Sequence, residues 1–75
     1  MYQILVVDDE RIERNGIKML LRHMQLPCEI AEAANGRDAL EYLKEHTADI
    51  LLTDVKMPFM DGIQLIEECK KETRI

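Results

Sequence analysis

The chain has 75 residues, of which 47% are hydrophobic, so it forms at most one small globular domain near the size at which a single core is barely sufficient. Its 15 acidic and 10 basic residues give a net charge of −5, and in the absence of a basic cluster we expect this segment not to bind nucleic acid. No apolar run is long enough to span a membrane, and the N-terminal residues lack the pattern of a signal peptide. Cys28 and Cys69 are widely separated and match no metal-ligand spacing. These features together predict a cytoplasmic protein with reduced thiols.

The first strand and helix are predicted over residues 2–24. Residues 2–7, YQILVV, form an apolar run of strand length that ends at Asp8 and Asp9. Residues 10–24 then show helical spacing, and we expect four apolar side chains to lie near one side of this helix. These four are Ile12, Leu20, Leu21 and Met24.

The second strand and helix are predicted over residues 28–46. Residues 28–34, CEIAEAA, mix charged and small residues and therefore predict a weaker strand. Asn35 is typical of a helix N-cap, which predicts a helix over residues 36–46. Its inward side chains are expected to be Ala39, Leu40 and Leu43.

The third strand is predicted at residues 49–53, DILLT, and the third helix at residues 61–72. Asp61 and Gln64 have the spacing of a capping box at the start of this helix. Between strand and helix, Pro58 is expected to shape the loop. Met57, Phe59 and Met60 are expected to pack there, and the inward residues of the helix are expected to be Ile63, Ile66 and Cys69.

Alternation of strands and helices predicts an α/β fold with parallel strands, right-handed crossovers and helices on both faces of the sheet. The first strand is apolar on both faces and should be central, whereas the half-charged second strand should lie at an edge. These preferences predict the strand order 2-1-3. The third strand is also apolar on both faces, yet this order gives it only one neighbour.

Acidic residues follow the two strands that this order places side by side. Ligands bind open parallel sheets at the carboxyl ends of the strands where the chain order reverses, and here those ends carry Asp8, Asp9 and Asp54. Three carboxylates brought together repel one another, and a hard divalent cation such as Mg²⁺ relieves that repulsion. Since an aspartate beside a metal can attack phosphorus, the pattern predicts a Mg²⁺-dependent site for phosphoryl chemistry.

Three segments, LVVDDE, LLTDVKMPFMDG and the NG before the second helix, resemble the receiver domains of two-component response regulators. The resemblance covers the whole chain and implies a flavodoxin-like parallel sheet. It also implies that Asp54 accepts a phosphoryl group from a sensor histidine kinase. By the same resemblance, Mg²⁺ is held by Asp9 directly, by Asp8 through water, by Asp54 and by the backbone carbonyl of Lys56. Residues 8–21 look most like receivers fused to AraC-type DNA-binding domains, so DNA would be bound only by a separate output domain.

Complete members of that family have two further strands, which supply a Ser or Thr and a Lys to the site. This chain ends at Ile75 after the third helix, and none of its lysines lies at a suitable strand end. The sequence therefore predicts a partial receiver domain over residues 1–75, with the first three β–α units and without the last two, truncated to βαβαβα.

Such a partial sheet would expose the apolar third strand along an unpaired edge, at Ile50, Leu51 and Leu52. We therefore expect a homodimer that covers this edge and the exposed helix faces, with the two third strands antiparallel across a two-fold axis.

Two other functions fit parts of the same pattern. An aspartate-nucleophile phosphatase would place a second Asp two residues after the nucleophile, where this chain has Lys56. A receiver-like interaction module without phosphotransfer would tolerate the absence of the Lys and Ser or Thr. Asp8 and Asp9 could also serve only to cap the first helix.

Overall fold

Three strands alternate with three helices along the residues that the computed structural model describes, 1–57 and 60–72. They are β1 (Tyr2–Val7), α1 (Arg11–His23), β2 (Cys28–Ala33), α2 (Gly36–Glu45), β3 (Ile50–Thr53) and α3 (Gly62–Glu72). Every predicted element is confirmed, with each end within one residue of the prediction. Local signals explain this accuracy. Asn35, for example, caps α2 by accepting a hydrogen bond from the backbone N–H of Asp38 at 2.8 Å.

The strands form a parallel sheet in the order β2-β1-β3, as predicted. Tyr2 of β1 is paired with Cys28 of β2, and Ile4 of β1 is paired with Ile50 of β3. The register between β1 and β3 ends at the pair Val7 and Thr53, so the two strands finish at the same level.

Helices cover both faces of the sheet. On one face, Ile4 and Val6 of β1 are buried against Leu21 of α1. On the other, α2 and α3 enclose a larger core that contains Leu5 and the fully buried Leu65. Since burying one such side chain contributes about 1.5–3 kcal/mol, alternate residues of β1 stabilise both layers, as expected of a central strand.

The predicted apolar side of α1 is wrong at three of its four positions. Leu21 is buried, but Ile12, Leu20 and Met24 are all mostly exposed. The helix instead turns Ile17 and Leu21 toward the sheet. Ile12 lies nine positions before Leu21, which is about 180° around a helix, so the two side chains point in opposite directions.

The inward side of α3 also differs from the prediction. Cys69 is buried as expected, whereas Ile63 and Ile66 are exposed and Leu65 takes the central position. Leu65 and Cys69 are one turn apart and therefore share a face of the helix. For α2, the predicted inward residues Ala39, Leu40 and Leu43 are all buried.

β3 is paired on one side only, with β1, within the described ranges. Two of its apolar residues are consequently open to solvent, Ile50 at 40% and Leu52 at 37% exposure. Across the same part of the chain, no helix is long and apolar enough to cross a membrane. Cys28 and Cys69 are reduced, with no disulfide between them.

Candidate metal centre

Asp8 and Asp54 are brought together because β1 and β3 end side by side. Asp8 follows Val7 directly, Asp54 follows Thr53, and the backbone N–H of Asp54 donates to the carbonyl oxygen of Val7 at 2.9 Å. Asp8 is buried, with 5% of its surface exposed, whereas Asp54 is partly exposed. Of the three aspartates predicted to meet at these strand ends, Asp8 and Asp54 are therefore brought together.

A third carboxylate, that of Glu13, completes the cluster. Carboxylate oxygens of Asp8, Glu13 and Asp54 all lie within 4.8 Å of one another. Asp9 is exposed, and its carboxylate is not among these three. Lys56 is exposed in the loop that follows Asp54.

Glu13 lies in the first turn of α1, where an acidic residue is ordinarily a surface group that favours the positive end of the helix dipole. The sequence pattern therefore did not single out Glu13 as a site residue. The available signal was its position, since it lies about one helical turn into the helix that follows the strand-ending Asp8 and therefore returns toward the strand end.

Backbone hydrogen bonds orient the two aspartates. Oδ1 of Asp8 accepts from the N–H of Glu10 at 2.9 Å, and the N–H of Asp8 donates to the carbonyl of Ala33 at 3.2 Å. Oδ1 of Asp54 accepts from the N–H of Val55 at 2.8 Å. Each carboxylate is thereby held by one oxygen in a fixed direction.

The loop after Asp54 returns closely over the strand end. A Cβ at Gly62 would overlap the carbonyl oxygen of Asp54, and the N–H of Gly62 donates to the carbonyl of Val55 at 2.8 Å. Only glycine allows the start of α3 to approach the backbone this closely. The capping box is confirmed, since Asp61 and Gln64 exchange side-chain bonds to each other's backbone N–H at 2.8 and 3.1 Å.

Gly36 explains the NG pair before α2. Its N–H donates to the carbonyl of Met60 at 3.2 Å, and a Cβ on Gly36 would overlap that oxygen. Met57 and Met60 are partly buried against the core, as expected of packing residues. Pro58 and Phe59, for which the sequence predicted a loop-shaping and a packing role, lie outside the described residues.

The two aspartates disfavour the charged form of Glu13. A hydrogen bond with Asp8, followed by the charges of Asp8 and Asp54, raises the pKa of Glu13 above its ordinary value of 4.5. A groove of about 510 Å³ opens beside the cluster, between Ile17 of α1 and Leu52 of β3.

This arrangement suits a small hard cation with space for an anionic ligand. Carboxylate oxygens are the ligands that Mg²⁺ takes in proteins, commonly one or two together with waters and a phosphate. The excess of negative charge and the adjacent open groove both fit such a cation.

Comparison with known proteins finds one family along nearly all of the chain. Residues 4–75 match the model of the response regulator receiver domain. The uncharacterized transcriptional regulatory protein YesN of Bacillus subtilis is 42% identical over 69 residues, which cover 91% of this chain and 19% of YesN. The chemotaxis protein CheY of Bacillus subtilis is 41% identical over 70 residues, which cover 93% of this chain and 58% of CheY.

Solved structures show the same fold. The response regulator TrrA of Thermotoga maritima, in complex with Mg²⁺ and BeF, has a TM-score of 0.86 and 35% identity, over 95% of this chain and 60% of TrrA. A two-component AraC regulator of Clostridium phytofermentans has a TM-score of 0.85 and 38% identity, over 95% of this chain and 58% of that one. The chain thus spans less than two thirds of each of these relatives.

Proposed function

Because the chain belongs to the family of response regulator receiver domains, we propose that Asp54 is the phosphoacceptor of a two-component phosphorelay. Receiver domains are signalling modules, and here the module would take its phosphoryl group from the phosphohistidine of a sensor histidine kinase. The observation that carries the proposal is the cluster of Asp8, Glu13 and Asp54 oxygens within 4.8 Å at the ends of β1 and β3.

In the proposed reaction, an oxygen of Asp54 attacks the phosphorus of the phosphohistidine. A P–O bond forms as the P–N bond breaks, and the imidazole leaves as a neutral ring after taking up a proton. Oδ1 of Asp54 is held by the N–H of Val55, so we assign the attack to Oδ2. Because Oδ1 is already held, Oδ2 is oriented for attack on phosphorus without further ordering of the side chain. This lowers the entropic cost of reaching the reactive geometry.

We propose that Mg²⁺ is held by Asp8, Asp9, Asp54 and the backbone carbonyl of Lys56, with Glu13 as a further oxygen beside the cation. When bound, the metal supplies positive charge that offsets the charge on the phosphoryl oxygens. Asp8 and Asp54 are fixed by backbone hydrogen bonds, whereas the exposed Asp9 is free to turn toward the cation.

The proposed partners and location follow from this role. A histidine kinase is the phosphoryl donor, and the chain acts in the cytoplasm, where thiols such as those of Cys28 and Cys69 stay reduced. DNA would be contacted through a separate output domain, since the segment itself carries a net charge of −5.

Residues 1–75 are proposed to be the first three β–α units of a receiver, which is consistent with their covering 58% of CheY. We further propose that this chain, taken alone, forms a homodimer through the β3 edge. Ile50 and Leu52 are exposed along that edge, and the exposed apolar residues Leu20 and Met24 of α1 would extend the covered surface. Light scattering over a dilution series tests this, and a folded monomer at every concentration contradicts it.

The phosphoacceptor role is tested by incubating the chain with Mg²⁺ and acetyl phosphate and measuring its intact mass. We expect one phosphoryl adduct, which Asp54→Asn abolishes and Asp49→Asn retains. Asp49 is a suitable control because its carboxylate accepts from the N–H of Gln3 at 2.8 Å at the opposite end of the strands. Release of inorganic phosphate with turnover would instead indicate a phosphatase, and absence of any adduct would indicate an interaction module.

A further inference from the structure

Arg14 connects the metal centre to the outer strand of the sheet. Its Nη1 donates to the backbone carbonyl oxygen of Asp8 at 2.7 Å, and its Nε donates to Oε1 of Glu32 on β2 at 3.2 Å. Only 15% of the Arg14 side chain is exposed, and its bond to the Asp8 carbonyl is partly buried, whereas its bond to Glu32 is exposed. One guanidinium therefore bridges the residue that ends β1 and a carboxylate on the neighbouring strand.

Lys18 fixes the other end of this bridge. Its Nζ donates to Oε2 of Glu32 at 2.7 Å, so the two oxygens of Glu32 are each taken by a different cation of α1. Glu32 is thus held in one orientation, and it in turn holds the plane of the Arg14 guanidinium. The planar fork of arginine is suited to serving two acceptors at once, whereas a lysine offers a single charged nitrogen.

The main chain of Asp8 is consequently fixed on both sides. Its N–H donates to the carbonyl of Ala33, and its carbonyl accepts from Arg14. Rotation of the peptide that follows Asp8 would displace the Glu10 N–H from which Oδ1 of Asp8 accepts, and the bond from Arg14 to the Asp8 carbonyl opposes that rotation. Groups that orient a metal ligand in this way commonly change metal affinity by about 10- to 100-fold when removed.

We infer that Arg14 is a positioning residue for the metal centre, which holds the Asp8 carboxylate in its cation-binding orientation through the Asp8 carbonyl. Because this inference rests on the proposed function, it applies to Mg²⁺ binding at the Asp8 and Asp54 cluster. Arg14 contacts neither the cation nor the phosphoryl group in this role, since its fork is occupied by Asp8 and Glu32.

Loss of the Arg14 charge and loss of its bond to Asp8 should change Mg²⁺ affinity in opposite directions. The direction of the measured change therefore tests the inference. Removing a positive charge near a cation site should by itself strengthen Mg²⁺ binding. Loss of the positioning bond should weaken it. Arg14→Gln removes both the charge and the fork, and Arg14→Lys keeps the charge but cannot serve Asp8 and Glu32 together.

Titration calorimetry with MgCl₂ on the wild-type chain and these variants, with thermal melts in chelator, provides the test. We expect Arg14→Lys and Arg14→Gln each to weaken Mg²⁺ binding by about tenfold. The matched control is Arg22→Gln, which removes a positive charge from an exposed position in the last turn of α1, at the end of the helix opposite the cluster. It should leave Mg²⁺ affinity within about twofold of wild type, because exposed surface charges contribute little.

Melts separate positioning from a merely structural role. If the melting temperatures of Arg14→Lys and Arg22→Gln in chelator are similar while only Arg14→Lys binds Mg²⁺ more weakly, positioning is supported. Wild-type affinity in Arg14→Lys, or tighter binding in Arg14→Gln, overturns the role of Arg14 and leaves the metal centre intact. If Arg14→Gln does not fold, Arg14→Lys decides alone. Absence of Mg²⁺ binding in the wild-type chain overturns the metal centre itself and the role of Arg14 with it.

Discussion

Replacement of Asp54 by Asn should stabilise the metal-free chain. The change removes one charge from a cluster of three carboxylates but keeps the geometry of the side chain. Asn retains an Oδ1 that can accept from the N–H of Val55, so the local bond at 2.8 Å is preserved. The main effect on the free energy of unfolding is therefore relief of repulsion, which function rather than folding requires.

The size of the effect follows from the distance between the charges. Carboxylate oxygens of Asp8 and Asp54 lie within 4.8 Å, a separation at which two unit charges repel by about 0.9 kcal/mol in a water-like dielectric. Asp54 is partly exposed, so this lower figure is appropriate rather than one for a dry interior. The charge of Glu13, whose carboxylate oxygen also lies within 4.8 Å of that of Asp54, acts in the same direction. A change of about 1 kcal/mol corresponds to roughly 4–8 °C in Tm for a domain of this size.

Thermal melts of the wild type and Asp54→Asn in chelator measure the shift. Glu67→Gln is the matched control, because it removes one negative charge from an exposed position on α3, on the other face of the sheet. We expect a clear rise in Tm for Asp54→Asn and almost none for Glu67→Gln. A lower Tm for Asp54→Asn would show that the Asp54 carboxylate stabilises the fold, and the reasoning from mutual repulsion would be refuted.

Three further outcomes are expected. Mg²⁺ should raise the free energy of unfolding of the wild type, by about 1.4 kcal/mol at ten times Kd, and Asp9→Asn should remove most of the rise; equal melts with and without Mg²⁺ would contradict this. Lys18 and then Arg14 lower the pKa of Glu32 below its ordinary 4.5, so the stability that Glu32 contributes is present above that pH and is lost as the pH falls below it. In urea melts, the free energy of unfolding of the wild type should therefore exceed that of Glu32→Gln by less than about 1 kcal/mol near neutral pH. The difference should vanish in acid, and a difference that stays constant with pH would be inconsistent with the ion pairs. Gly62→Ala should destabilise the fold by about 1–3 kcal/mol, because a Cβ at this position overlaps the backbone of Asp54. Gly16→Ala should stabilise the fold, because a methyl group there meets nothing within 4 Å. Denaturant midpoints that shift in the same direction for both variants would disprove the close approach at Gly62.

The features that could be predicted from the sequence are those fixed by local chemistry or by strand character. Asn35 and Asp61 are caps whose partners lie three residues away, so no tertiary information is needed to find them. The strand order follows from the contrast between an apolar β1 and a half-charged β2. Once that order is known, the meeting of Asp8 and Asp54 follows from the parallel direction of β1 and β3.

The rotation of a helix about its own axis is harder to predict when apolar residues occur all around it. On α1, Ile12 and Leu21 are both apolar, yet they lie on opposite sides and only one can face the sheet. On α3, the close contact of Gly62 with the Asp54 backbone fixes where the helix starts and therefore which side it turns inward. That contact is tertiary, and it selects Leu65 over Ile63 and Ile66.

Glu13 shows why part of the candidate site was also missed. In sequence it is an ordinary acidic residue in the first turn of a helix, a position that is favourable by itself. The fold turns this favourable position into an unfavourable one by placing Glu13 against Asp8, and the raised pKa of Glu13 records the cost. Local preference and tertiary environment disagree at this residue, and such disagreement is expected where function rather than stability sets the arrangement. A cation that joins the cluster would remove the disagreement, because it makes the same three charges attractive to one centre.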